Sequence, residues 1–141
     1  MTPEEYRTLA TKPKRSKFGA KPTIVDGIRF HSTGEAKRWM ELLTLQAAGE
    51  VRDVRRQVAF AMRVQNGPVI IRSAGYPEGR VAKYTADFTY FERDSKDREQ
   101  WVYVIEDFKG HDASESRLRR AVIEAMLGTR IRITGGRHAR S

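Results

Sequence analysis

The chain contains no cysteine. That one absence excludes disulfides, thiolate zinc ligands and cysteine nucleophiles, and it suits a cytoplasmic protein. Only three histidines occur, His31, His111 and His138, and their spacing matches no zinc site. A metal here would be held by oxygen, which points to Mg²⁺ or Mn²⁺. No apolar run is long enough to span a membrane. The first residues, MTPEEYRTLA, lack the apolar stretch of a secretory leader.

Positive charge is what the chain has in excess. Lys and Arg number 27 against 18 Asp and Glu, a formal net charge of +9. A basic surface attracts polyanions, and nucleic acid is the commonest of these in a cytosol. A solvated surface that is merely basic is the alternative. With 141 residues, 39% of them hydrophobic, the chain fits one domain with a modest core.

Residues 1–17 read as a flexible basic arm carrying Lys12, Lys14, Arg15 and Lys17. Two β-prone runs in TIVDGIRF flank Asp26-Gly27, a hairpin signal. Ser32 and Thr33 are good helix N-caps. A helix is expected from Thr33 to Ala48, burying Ala36, Trp39, Met40, Leu43 and Ala47 and closed by Gly49. Val54 to Val64 alternates as a strand, with Val54, Val58, Phe60, Met62 and Val64 on the core side. Asn66-Gly67 is a turn, Pro68 to Arg72 a short strand, and Gly75, Pro77 and Gly79 mark a loop. Val81 to Phe91 and Trp101 to Lys109 are long strands around a polar turn at Asp94 to Arg98. The apolar start of the second suggests a central position. Ser114 is placed as N-cap of a helix ending at Leu127, before Gly128. Arg130 to Thr134 forms a last strand, and 135–141 is a basic tail. The class is α/β around a mixed sheet, in the order αβββαβ.

The chemistry concentrates in IEDFKG. Side chains alternate along a strand, so Asp107 and Lys109 share a face while Glu106 and Phe108 point away. A bulge would exchange the two acids, so Glu106 competes with Asp107. Asp87, in YTADFTY, approaches Asp107 if the two strands pair. A buried Asp among Tyr84, Ala86, Phe88 and Tyr90 wants a partner or a metal. Two carboxylates and a lysine in one pocket suit phosphodiester hydrolysis. The acids hold a hard cation, and the lysine orients water or stabilises developing charge. Glu35 is a third candidate carboxylate, though it equally suits the dipole at its helix start. Gln57 either reaches the site or is an exposed polar residue. Arg117, Arg119 and Arg120 on the second helix either line a phosphate track or form a solvated face.

Glu35 on a first helix, Asp87 on a strand, and Asp107-x-Lys109 on the next strand before a helix resemble the PD-(D/E)XK nuclease core. The segments FGAKPTIVDGIRFHSTGEAKRW, LQAAGEVRDVRRQVAF, YTADFTY and IEDFKG resemble phage-encoded PD-(D/E)XK endonucleases often described as Holliday-junction-resolvase-like. The resemblance covers about Phe18 to Leu127. It implies a restriction-endonuclease-like domain over 18–134. Glu35, Asp87 and Asp107 would be the metal ligands, Lys109 the catalytic lysine, and Gln57 a glutamine near the site. Arg119 takes the place of a basic residue on the helix after the lysine. Lys83, Arg117, Arg119 and Arg120 would contact DNA. Ala86 stands in place of the proline of the superfamily's name, and Ser116 where the family often has an aromatic residue. The resemblance further implies a Mg²⁺- or Mn²⁺-dependent phage endodeoxyribonuclease acting on branched DNA as a homodimer, since paired cuts need two active sites. A nuclease for ordinary duplex DNA, or a non-catalytic basic DNA-binding or packaging accessory protein, is the alternative.

Overall fold

A computed structural model describes residues 23–109 and 113–135. The basic arm, His111 and residues 136–141 of the tail lie outside the described residues. Strands β1 (Thr23–Val25) and β2 (Ile28–Phe30) pair antiparallel. Asp26 and Gly27 between them have φ of 51° and 77°, which matches the twist of the strands they join. The Ser32 hydroxyl then accepts the Glu35 amide at 3.1 Å, capping helix α1 (Thr33–Ala47). Gly49, at φ 78°, follows the helix end.

Helix α1 is rotated from its expected phase. Glu35, Ala36 and Leu42 are buried, whereas Met40 is 42% exposed and Ala47 is exposed too. The rotation is set by Trp39, whose ring stacks on Phe88 at 6.2 Å, and by Leu42, which packs with Val51, Phe88, Tyr90 and Val104. One consequence is that Glu35 turns inward.

The main sheet runs β10-β9-β8-β3. Strands β3 (Val51–Ala61), β8 (Lys83–Arg93) and β9 (Trp101–Phe108) are antiparallel neighbours. β10 (Arg132–Thr134) joins β9 in parallel after helix α2 (Ser114–Leu127), so the sheet is mixed and β9 is interior. Between β3 and β8 lie two small hairpins, β4 (Arg63–Val64) with β5 (Gly67–Pro68), and β6 (Ile70–Ser73) with β7 (Tyr76–Val81). The expected loop at Gly75, Pro77 and Gly79 is therefore mostly strand. Among the described residues β7 pairs only with β6, so an edge strand absorbs the missing amide hydrogen of Pro77. Val64, expected on the core side, is 65% exposed because β3 ends at Ala61 and the chain turns into the β4–β5 hairpin. Ala113, with extended backbone, takes the cap of α2, and Ser114 is its first helical residue. Gly128 closes α2 at φ 65°. Among the described residues no helix is long and apolar enough to cross a membrane.

The sheet changes sides partway along. On β8, Phe88 and Tyr90 pack with Leu42 of α1, yet Tyr84 and Ala86 pack with Ile123 of α2. All four residues are even-numbered, so simple alternation fails between Ala86 and Phe88. β3 makes the same change. Arg56 lies over Phe30 and Trp39 in the α1 layer, while Phe60 and Met62 join the α2 cluster. The change falls at Gln57, whose φ is 51°, a left-handed value uncommon for a non-glycine residue. Gln57 and Asp87 thus mark the place where both strands swing from one helix to the other.

On the α1 side, Glu106 is fully buried and fully engaged. Arg38 grips it with Nε to Oε2 at 2.7 Å and Nη2 to Oε1 at 2.9 Å. The Tyr90 hydroxyl donates to Oε1 at 2.6 Å and the Thr134 hydroxyl to Oε2 at 3.0 Å. This fork ties α1, β8, β9 and β10 together. Removing one member of a buried pair leaves an uncompensated charge. Arg38→Met should therefore lower unfolding stability in urea by about 3 kcal/mol. A loss below about 1 kcal/mol, the worth of an exposed ion pair, would show the clasp to be incidental.

Candidate active site

The site forms where β8 and β9 part. Their register runs from Arg93↔Trp101 to Phe88↔Glu106, and the next step would place Asp87 opposite Asp107. There the backbone pairing stops, and the Asp87 side chain enters the gap. Its Oδ2 accepts the Phe108 amide at 2.9 Å. Its Oδ1 accepts Gln57 Nε2 at 3.2 Å. The partners on either side, Arg56↔Phe88 and Val58↔Ala86, put Gln57 directly across from Asp87. Gln57 is thus a site residue, although its residue as a whole is exposed.

Asp107 is 1% exposed. Its Oδ2 lies 3.1 Å from Lys109 Nζ and 3.8 Å from Arg120 Nη1. These are ion-pair distances, but neither cation makes a directed hydrogen bond to that oxygen. Glu106 is on the other side of the sheet in the Arg38 clasp, so Asp107 is the acid that faces Asp87. Glu35 approaches from the start of α1. Its Oε1 is buried with no hydrogen-bond partner, and its Oε2 sits 3.6 Å from His31 Nδ1. Burial, opposed by the charges of His31 and Arg56, raises the Glu35 carboxyl above its ordinary range.

The cost of this crowding falls on Asp87. Burial pushes its carboxyl up to about 8, with further contributions from Asp107 and from the charge of Glu35. At neutral pH Asp87 therefore holds a proton that a cation could displace. Among the described residues, no three acidic or histidine side chains already converge as a closed metal shell. Asp87 and Asp107 are the adjacent pair, and Glu35 is the third acid within electrostatic reach. The buried oxygens without hydrogen bonds, Glu35 Oε1 and Asp107 Oδ2, are hard donors suited to Mg²⁺ or Mn²⁺.

The basic candidates divide. Lys83 opens β8 and is exposed, and Arg117 on α2 is exposed. Arg119 instead donates Nη1 to the Lys83 carbonyl at 2.6 Å and holds Glu115 through Nε and Nη2. It ties α2 to β8. Arg120 is 3% exposed and faces Asp107. The phosphate track read from these helix residues is thus partly turned inward, because Lys83 and Asp107 lie beneath them. Tyr84 is the neighbour expected beside Asp87, whereas Arg56 and His31 escaped the sequence reading. The buried Tyr84 phenol is raised by burial and by Asp107. Arg56 adds positive charge beside Glu35, and His31 pairs with it. His31 precedes the Ser32 cap, so helical spacing gives no signal for this pair.

The raised Asp87 carboxyl carries a testable consequence. Its folded value, about 8, lies above its ordinary 3.8, so the folded chain holds this proton more tightly than the unfolded one. That group's contribution then turns unfavourable as pH climbs from about 4 to about 8. Asp87→Asn removes the penalty. In EDTA at pH 8 the variant should melt higher than wild type by on the order of 4 °C, the shift that about 1 kcal/mol produces at this size. The gain should vanish near pH 4. An equal difference at both pH values, followed by circular dichroism, would show that Asp87 is not held protonated.

A family model described as a protein of unknown function (DUF1064) matches residues 15–133. No curated protein and no solved structure matches the chain. The matched span includes helices α1 and α2, strands β1 to β9, and Glu35, Gln57, Asp87, Asp107 and Lys109. The chain belongs to the DUF1064 family.

Proposed function

We propose that this protein is a metal-dependent DNA endonuclease built on a PD-(D/E)XK core. The observation that carries the reading is the acid pair where β8 and β9 part. Asp87 and Asp107 face each other where two central strands separate, with Lys109 Nζ 3.1 Å from Asp107 and Glu35 nearby. The order of the main elements supports it: a helix, three antiparallel strands, a helix and a parallel strand. A net charge of +9 fits a nucleic-acid substrate.

In this reading Asp87, Asp107 and Glu35 hold Mg²⁺ or Mn²⁺. When bound, the cation supplies Lewis-acid polarisation of the phosphoryl group and acidifies the attacking water. The chain's own residues do the rest. Lys109 places a positive charge beside Asp107, where it steers water and offsets negative charge that grows in the transition state. Gln57 and the Phe108 amide fix both oxygens of Asp87, so the carboxylate is oriented before substrate arrives. Tyr84 is buried beside the two acids. The reading extends, on the resemblance in sequence, to branched phage DNA cut by a homodimer, each copy providing one site.

The test is cleavage of a labelled four-way junction and a matched linear duplex, with Mg²⁺ or with EDTA. Wild type should cut the junction only with metal. Lys109→Ala should bind the junction yet cut at least about a hundredfold more slowly, the usual cost of losing one charge-stabilising group. Equal cutting of both DNAs would make it a duplex nuclease. Binding of both with cleavage of neither, in Mg²⁺ and in Mn²⁺, would favour a non-catalytic DNA-binding protein.

A further inference from the structure

The face of the sheet that carries Asp107 continues past α2 into an open surface. Ile105 and Ile133 lie under α2 with Ile123, but Tyr103, two residues along β9, is 41% exposed. Register places Arg52, Phe91 and Tyr103 side by side across β3, β8 and β9. The Phe91 and Tyr103 rings are 5.0 Å apart. The Arg52 guanidinium lies 5.6 Å from the Phe91 ring and 4.4 Å from the Trp101 ring. Arg93 lies over Trp101 from 4.6 Å, with its own hydrogens committed to the Gly49 and Arg98 carbonyls. Among the described residues, Arg52 has no carboxylate partner. Neighbouring Arg55 is exposed and shares its charge with Asp53 at 3.1 Å.

A planar guanidinium fixed against rings, next to an exposed phenol ring, is a surface for flat, anionic partners. Duplex DNA hides its base faces, whereas an unpaired nucleotide offers both a ring to stack and a phosphate to pair. The patch shares a sheet face with the acid pair, with buried Thr89 and Ile105 between them. Phe91 is four residues along β8 from Asp87, about 13 Å at strand rise. We propose that Arg52 and Tyr103, supported by Phe91 and Trp101, bind an unpaired stretch of DNA on the sheet face that carries the Asp87–Asp107 site. The base stacks on Tyr103, and Arg52 takes the phosphate or the outer base face. The substrate then includes single-stranded nucleotides beside the cut. The identity of the strand as DNA rests on the nuclease reading, while the patch and its chemistry do not.

The experiment measures binding without cleavage. Fluorescein-labelled oligothymidylate, the same strand with abasic sites, and a blunt hairpin duplex are titrated in EDTA by anisotropy. Wild type, Tyr103→Ala and Arg52→Gln are compared, with circular dichroism confirming their fold. Each variant should bind oligothymidylate at least about fivefold more weakly, the lower range for one lost stacking contact. Their duplex affinity should change less than about twofold, a shift that spares the phosphate contacts shared by both DNAs. Abasic substitution should weaken wild type in the same way. Unchanged single-strand binding, or equal losses for both DNAs, would overturn the proposal. So would a change from dimer to monomer in Tyr103→Ala by light scattering without DNA, which would make the patch a self-interface. A wild type that never cuts would remove the nuclease reading and leave these binding results standing.

Discussion

A carboxylate taken out of water must be met by a cation or by a proton. This sheet buries Glu106 and Asp107 at consecutive positions of one interior strand, one toward each helix layer. On the α1 side the demand is met in full, by the Arg38 fork and two hydroxyls. On the other side it is met in part. Lys109 and Arg120 approach one oxygen of Asp107, and Asp87 is left to carry a proton. The contrast between the two faces separates a fully compensated acid from one that is only partly compensated. Desolvation energies of several kcal/mol per ion are large beside a domain's whole stability, so such an imbalance persists only where something offsets it.

The backbone prepares that imbalance. Ordinary strand pairing would have carried the backbone ladder on past Asp87. Instead, β8 and β9 separate at that residue, and the freed Phe108 amide is satisfied by the carboxylate. The same point is where β3 and β8 pass from the α1 layer to the α2 layer, with Gln57 in a left-handed conformation. A strained residue that also holds the site's carboxylate has a reason to be strained. Phe108 reinforces the junction. Its ring lies where a Cβ on Gly34 or Gly135 would come within 2.6 Å or 2.7 Å, so both glycines leave room for it. The site's geometry is thus fixed from β9, α1 and the chain after β10 together.

Local signals were legible in the sequence. Asp26-Gly27, Ser32, Gly49 and Gly128 each do what short-range chemistry predicts of them. So does the alternation in IEDFKG, which set Asp107 and Lys109 on one face. Choices that depend on distant partners were not legible. The phase of α1 is set by Phe88 and Val104, more than forty positions away. Pro77 reads as a loop until β7 is known to be an edge. Glu106 and Asp107 cannot be ranked by period alone, because the choice rests on Arg38, Tyr90 and Thr134. Arg119 and Arg120 read as a surface pair, yet Lys83 and Asp107 draw them inward. Periodicity also predicts a single face for each strand, so it could not foresee the change of sides at Gln57 and Asp87.

The most direct measurement is a calorimetric titration of Mn²⁺ into wild type, Asp107→Asn and Glu106→Gln, with a short DNA duplex present. The account predicts one saturable class of site in wild type, retained in Glu106→Gln and lost in Asp107→Asn, with protons released on binding near pH 7. Binding that survives Asp107→Asn, or that disappears in Glu106→Gln without unfolding, would contradict it.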